Sequence, residues 1–151
     1  MSIVIVRGPD TPPASYRAPL SQYLPPAVIA SLVDSAVCAG KTLAIRVCGS
    51  HHEIVSALGV LDRAPPEILL LDPGRSLEDA GVQAAMRTLR VPFIEIHDNP
   101  GSIEEPALID APANRLCVVN GYMAQSYVVA MDKALEHLGC GACHTEYHVG
   151  T

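Results

Sequence analysis

Residues 68–74 read ILLLDPG, a run of four large apolar residues that ends in a polar turn. A strand with one face in water alternates apolar and polar residues, whereas a strand buried on both faces is apolar throughout. The turn formed by Asp72, Pro73 and Gly74 has the residue types that end such a strand. This stretch therefore predicts a central strand in a sheet that is covered on both faces.

Similar runs recur on either side of it. Short apolar segments occupy Ile3–Val6, Leu43–Val47, Phe93–Ile96 and Leu116–Val119. Helical patterns separate them at Ala27–Ala39 (closed by Gly40), from Ser50 to about Leu61, at Ser76–Leu89 and from about Tyr122 to Leu138. Ser50 with Glu53 and Ser76 with Asp79 have the spacing of helix N-terminal caps. Strands that alternate with helices indicate an α/β protein, a flavodoxin-like five-stranded parallel sheet with helices on both faces.

Length and composition narrow the class of protein. The chain has 151 residues, 49% of them hydrophobic, and a net charge of -6. We expect one domain over residues 1–138 and a short Cys/His-containing tail over residues 139–151. The negative charge argues against a nucleic-acid partner, and no apolar run approaches the ~18 residues of a membrane span.

The cellular location follows from the first residues and the cysteines. The N-terminus has no basic region and no export cleavage site, which predicts a cytoplasmic protein. Cys38, Cys48 and Cys117 lie within apolar stretches, so we expect buried, reduced thiols and no disulfide framework.

In a parallel sheet of this type, ligands bind at the carboxyl ends of the strands. His97 follows one strand, with Glu95 two residues earlier on the same side. A histidine there can act as a general acid or base while the carboxylate orients its ring, or it can simply hydrogen-bond a loop. The proline-rich stretch before the first helix contains Arg17 and Tyr23, and a nearby guanidinium favours the phenolate form of a tyrosine. A solvated loop arginine is the alternative.

Four stretches together resemble type II 3-dehydroquinate dehydratase. They are residues 5–10 (IVRGPD), Arg17-Ala18-Pro19 with Tyr23, residues 46–55 (RVCGSHHEIV) and residues 92–97 (PFIEIH). The resemblance covers roughly residues 3–138 and is strongest at residues 92–97. It implies a flavodoxin-like fold, a role related to the shikimate pathway, and a homo-oligomer in which trimers assemble into a dodecamer.

The resemblance also implies a reaction, the elimination of water from a cyclic ketone through an enolate, with no cofactor. Tyr23 would remove the proton next to the ketone, and Arg17 would hold its phenol ionised. His97 would protonate the leaving hydroxyl, with Glu95 orienting its ring. The small-molecule substrate would be held at Asp10, Asp72, Gly74, Asp98 and Asn99.

The match fails where that family binds the substrate carboxylate. Leu77 stands nearest the place of the substrate-binding histidine, and Glu104 and Leu108 fall where the family has two arginines. Pro100 removes a backbone donor beside the expected carboxylate site. A lyase acting on a related ketone is therefore one hypothesis, and a non-catalytic or metal-binding protein on the same scaffold is the other.

The tail has its own motif. Cys140, Cys143 and His144 form the C-x-x-C-H pattern of covalent haem attachment, and His148 follows four residues later. Two thiolates and one or two imidazoles also suit tetrahedral zinc. The remaining alternative is a flexible chain end with reactive thiols.

Overall fold

The computed structural model describes residues 2–9, 24–98, 112–121 and 125–140, with only the backbone of Asp98. The elements in chain order are β1 (Ile3–Arg7), α1 (Pro26–Cys38), β2 (Leu43–Val47), α2 (His51–Arg63), β3 (Ile68–Asp72), a 3-10 helix (Gly74–Glu78), α3 (Ala80–Thr88), β4 (Phe93–Asp98), β5 (Arg115–Gly121) and α4 (Gln125–His137).

The five strands form one parallel sheet in the order β2-β1-β3-β4-β5. This confirms the predicted flavodoxin-like α/β fold. Every residue of β1 and of β3 is buried, as expected for central strands with helices on both faces. The carboxyl ends of β1, β3 and β4 therefore lie side by side at one edge of the sheet. Arg7 is level with Asp72, and β4 continues to His97.

Two apolar cores lie on the two faces of the sheet. Alternate strand residues such as Ile5 and Leu70 pack against α1 and α4. Their neighbours, such as Val6 and Leu71, pack against α2 and α3. Leucine, isoleucine, valine and alanine fill most of both cores, in a chain that has no Trp and one Phe.

One of the two predicted helix caps agrees with the structure, and the other does not. Ser50 caps α2 as predicted, since its hydroxyl accepts a hydrogen bond from the Glu53 amide at 3.3 Å. The predicted helix start at Ser76 is wrong, because residues 74–78 form a 3-10 turn in which Ser76 is buried. Asp79 adopts an extended backbone and caps α3 instead, accepting from the Val82 amide at 3.0 Å.

The three cysteines of the apolar stretches differ in exposure and in bonding. Cys48 is a buried free thiol, and burial raises its pKa; Cys117 is a half-buried free thiol. Cys38 is exposed and disulfide-bonded, so the expectation of a buried, reduced thiol is wrong there. The buried side of α1 carries Leu32 and Ala36, and a residue two positions after Ala36 points to the opposite side of a helix.

Helices in the described ranges are all too short or too polar to cross a membrane.

The turns after β1 and β3 lie backbone against backbone. The Gly8 amide donates to the Asp72 carbonyl at 2.6 Å, and the Arg75 amide donates to the Pro9 carbonyl at 2.9 Å. A Cβ atom on Gly8 would clash with the Pro73 carbonyl oxygen, and one on Gly74 would clash with the Pro9 carbonyl oxygen. Only glycine fits at either position, because both neighbouring atoms belong to the backbone.

Substitution of these glycines separates steric clash from backbone strain. Gly74 (φ +57°) and Gly40 (φ +69°) both adopt the left-handed conformation, but a Cβ on Gly40 would meet nothing within 4 Å. We expect Gly40→Ala to cost about 1 kcal/mol in the free energy of unfolding and Gly74→Ala about 3 kcal/mol, measured by urea denaturation. Gly59→Ala, in open space within α2, should stabilise by up to about 1 kcal/mol. Equal losses for Gly40→Ala and Gly74→Ala would contradict the close approach of the two turns.

Candidate active site

Glu95 and His97 form a buried pair near the carboxyl end of β4. They are two residues apart on one strand, so both side chains project from the same face of the sheet. His97 Nε2 lies 2.6 Å from Glu95 Oε2, and the two residues are 7% and 2% exposed. With Nε2 held by the carboxylate, Nδ1 is the ring nitrogen left for proton transfer to a bound molecule. The pair therefore has the parts of a general acid or base with an orienting carboxylate.

A third charged group touches this pair. Arg115, the first residue of β5, places Nη1 3.6 Å from Glu95 Oε1, and its side chain is 11% exposed. Glu95 thus lies between an arginine on one oxygen and a histidine on the other.

A second buried cluster surrounds Asp72 at the end of β3. Asp72 Oδ2 accepts hydrogen bonds from the Tyr127 hydroxyl at 2.5 Å and from Arg7 Nη1 at 3.3 Å, while Oδ1 accepts from the Gly74 amide at 3.0 Å. Arg7 Nη1 also lies 2.9 Å from the Tyr127 hydroxyl oxygen, and its guanidinium carbon is 5.5 Å from the centre of that ring. The cluster links β1, β3 and α4.

The surroundings of Tyr127 favour its neutral form. Burial raises the pKa of its hydroxyl well above the usual range, and the neighbouring charge of Asp72 raises it further, while Arg7 opposes the change. Tyr127 therefore remains a hydrogen-bond donor to Asp72 at any pH near neutrality.

The two clusters project from opposite faces of the sheet. Arg7 and Asp72 continue the alternation of Ile5 and Leu70, which face α1 and α4. Glu95 lies level with Leu71, on the face covered by α2 and α3. The structure therefore brings Glu95 and His97 together and places Asp72 in a separate group at the same edge.

The other predicted site residues divide by position. Gly74 begins the 3-10 helix, and its amide is committed to Asp72. Asp98 is the last residue of β4. The remaining predicted residues lie outside the described ranges: Asp10, Arg17, Tyr23 and Asn99 of the lyase site, and Cys143, His144 and His148 of the tail.

Cys140 is the one described residue of the tail motif. Its free thiol is half-buried against the core beside α4, with Sγ 3.7 Å from the Leu138 carbonyl oxygen. Within the part of the chain that the structure describes, no three His, Cys, Asp or Glu side chains are grouped to hold a metal ion.

Sequence reasoning missed three polar residues that complete these clusters: Arg7, Arg115 and Tyr127. Arg7 carries a usable signal, since it ends an apolar strand that must lie beside another strand ending in Asp72. Tyr127 lies within a helix, and its contact depends on how that helix packs on the sheet. Arg115 depends on the register of β4 and β5, which the sequence does not specify.

No protein-family model and no curated protein sequence matches this chain. Solved structures do share its fold. A 3-dehydroquinate dehydratase-like protein from Bifidobacterium longum has a TM-score of 0.62 at 17% identity, over 91% of this chain and 98% of that one. A type II dehydroquinase from Propionibacterium acnes has a TM-score of 0.65 at 16% identity, over 87% and 94%. A type II dehydroquinase from Butyrivibrio crossotus has a TM-score of 0.65 at 12% identity, over 89% and 97%. At such identities the likeness shows a common fold.

The Tyr127 hydrogen bond predicts a specific dependence of stability on pH. Tyr127→Phe removes one donor from buried Asp72 and should cost about 1–3 kcal/mol in the free energy of unfolding at neutral pH. Because the folded-state pKa of Tyr127 is raised, its stabilisation is complete below the unfolded value of about 10 and is lost as pH rises further. Urea denaturation between about pH 8 and pH 11 should show wild type losing up to about 1.4 kcal/mol per pH unit more than the variant above pH 10. Parallel curves for the two proteins would contradict this account.

Proposed function

We propose that this chain is a divergent 3-dehydroquinate dehydratase-like lyase that eliminates water from a cyclic ketone through an enolate. The observation that carries the proposal is the buried Glu95–His97 pair near the carboxyl end of β4. It lies at the edge where this fold binds ligands, and the fold is shared with two type II dehydroquinases.

The proposed chemistry assigns one proton transfer to each side of the substrate. Ionised Tyr23, supported by Arg17, takes the proton from the carbon next to the ketone, and the electron pair forms the enolate. As the enolate collapses, the carbon–oxygen bond breaks and His97 gives its proton to the leaving hydroxyl, which departs as water. Glu95 holds the imidazole in position for this step. No cofactor takes part.

The substrate of the proposed enzyme is a small cyclic ketone related to 3-dehydroquinate. Leu77 replaces the family's substrate-binding histidine, and Asp98 places an acidic residue next to the expected carboxylate site. An anion there repels a substrate carboxylate, which favours a ketone with a different substituent. The trimer-based dodecamer and the cytoplasmic location are part of the same proposal.

The direct test is an assay of 3-dehydroquinate and related hydroxy ketones for the appearance of enone absorbance. His97→Ala should lower kcat by at least about 100-fold, because it removes the proton donor. His137→Ala, at the exposed end of α4, is the matched control and should leave kcat unchanged. Turnover that persists in His97→Ala would refute the assignment of His97.

A non-catalytic protein on the same scaffold is the second candidate. The observation that favours it is the state of Asp72, whose two carboxylate oxygens are already engaged by Arg7, Tyr127 and Gly74. A wild-type protein that turns over none of the ketones, while its fold is intact by circular dichroism, would support this candidate.

The tail carries a separate proposal for the reduced protein, a zinc or haem site built from Cys140, Cys143, His144 and His148. The free thiol of Cys140 supports it. As a thiolate it could bind zinc, and as a thiol it could form a thioether bond to haem, with the histidine of the motif as the iron ligand. Protein purified from cells should contain one metal per chain by elemental analysis, and replacing both cysteines by serine should remove it. Cys117→Ser, at a half-buried thiol in β5, is the matched control. Metal-free protein that gains no zinc and shows no haem absorbance would refute this site.

A further inference from the structure

We propose that Arg115 is a positioning residue for His97 and that it acts through Glu95. The inference rests on the proposed function, because it concerns the histidine assigned as proton donor. Two contacts in series carry it: Arg115 Nη1 to Glu95 Oε1 at 3.6 Å, then Glu95 Oε2 to His97 Nε2 at 2.6 Å.

The first argument is the compensation of charge. Glu95 is 2% exposed, and a carboxylate this deeply buried requires a nearby positive charge. A guanidinium is protonated under all ordinary conditions, whereas an imidazole gains and loses its proton. Arg115 therefore supplies a permanent counter-charge, and Glu95 does not depend on His97 for one.

The second argument is the path of β5. Phe93 of β4 pairs with Arg115, but the next residue, Ile94, pairs with Cys117, so Leu116 is an extra residue. Without this bulge, Arg115 and Cys117 would project from the same face of the sheet. With it, Arg115 reaches Glu95 on one face, while Cys117 packs against the core on the other.

The bulge is unfavourable for the sheet, and the packing of the core does not explain its presence. Leu116 is left 40% exposed, and an extra residue interrupts the ladder of hydrogen bonds. Bulges of this kind commonly redirect a side chain next to a functional site. Here the side chain that gains a contact is the one that touches Glu95.

The consequence is a fixed orientation and a fixed tautomer for His97. When the ring is neutral, a carboxylate that remains an anion accepts the hydrogen from Nε2, which leaves Nδ1 as the atom that exchanges protons. During elimination the imidazolium gives the Nδ1 proton to the leaving hydroxyl and becomes this neutral tautomer. Glu95 keeps its charge throughout, balanced by Arg115.

The test reads the His97 ring directly, by ¹⁵N NMR of the intact protein at about pH 8, where an ordinary histidine is neutral. Wild type should show one tautomer with hydrogen on Nε2. Arg115→Gln, which removes the charge and keeps a polar side chain, should show a mixture of tautomers. Arg115→Lys should restore the wild-type pattern. Arg87→Met, at an exposed position in α3, is the control and should change nothing.

A double-variant cycle tests whether the effect passes through Glu95. In a Glu95→Gln background, Arg115→Gln should cause no additional change in the His97 signals. Unchanged His97 signals in Arg115→Gln, or an equal change in both backgrounds, would overturn the inference. If Arg115→Gln does not fold, the inference is still tested by comparing Arg115→Lys with wild type and with Glu95→Gln. His97 signals in Arg115→Lys that match those in Glu95→Gln would contradict charge compensation.

Where the assay detects turnover, Arg115→Gln should lower kcat about tenfold with little change in KM, as expected for a residue that orients a catalytic group. A chain with no turnover but with the expected NMR pattern would refute the proposed reaction and leave the positioning role intact. Turnover with unaltered His97 signals in Arg115→Gln would refute the positioning role and leave the proposed reaction intact.

Discussion

A carboxylate can be buried only where a cation and hydrogen bonds replace the water it loses, and this sheet buries two of them at neighbouring strand ends. Asp72 is 3% exposed and Glu95 is 2% exposed, and each has an arginine within 4 Å. Arg7 compensates Asp72 from the adjacent strand β1, and Arg115 compensates Glu95 from the adjacent strand β5. In both pairs, the parallel arrangement brings the two partners together from distant parts of the chain.

The two carboxylates differ in the groups that bind them besides the arginine. Asp72 is joined to the hydroxyl of Tyr127, whose raised pKa keeps it a permanent donor, and to a backbone amide in its own turn. Glu95 is joined to the imidazole of His97, a group that can both take up and release a proton. The first cluster therefore holds α4 and the turn after β3 in place, whereas the second contains a group that can exchange a proton. This difference is the physical reason for placing the proposed chemistry at β4.

The fold could be predicted from the sequence because short segments of the chain are enough to identify its strands and helices. The apolar run at residues 68–71 extends to Asp72 in the structure, and Leu43–Val47 has the bounds predicted for it. Gly40, predicted to close the first helix, follows it with a positive φ. The error at Ser76 is also local: Ser76 and Asp79, three residues apart, can each cap a helix, and the sequence does not show that a 3-10 turn comes first.

Around Glu95, the candidate site was predictable where its residues share one strand. Glu95 and His97 are two residues apart on β4, so the period of a strand is enough to place them together. The contact of Arg115 with Glu95 depends on one extra residue in β5, and moving the register by one residue would turn the arginine to the other face. A bulge leaves no mark in the apolar pattern, since Leu116 is as hydrophobic as the residues 117–119 that follow it, although it is 40% exposed.

The bulge and the two-faced arrangement together explain how one sheet edge accommodates both clusters. Side chains alternate along each strand, so Asp72 and Glu95 project from opposite faces, and the sheet separates the two carboxylates. Two like charges on the same face would each make burial of the other more costly. Because each carboxylate has its own arginine, a change at Arg7 or Tyr127 acts on the α4 side, and a change at Arg115 acts on the side of His97. The structure therefore separates the groups that stabilise this edge from the pair that can transfer a proton, and substitutions can address each one independently.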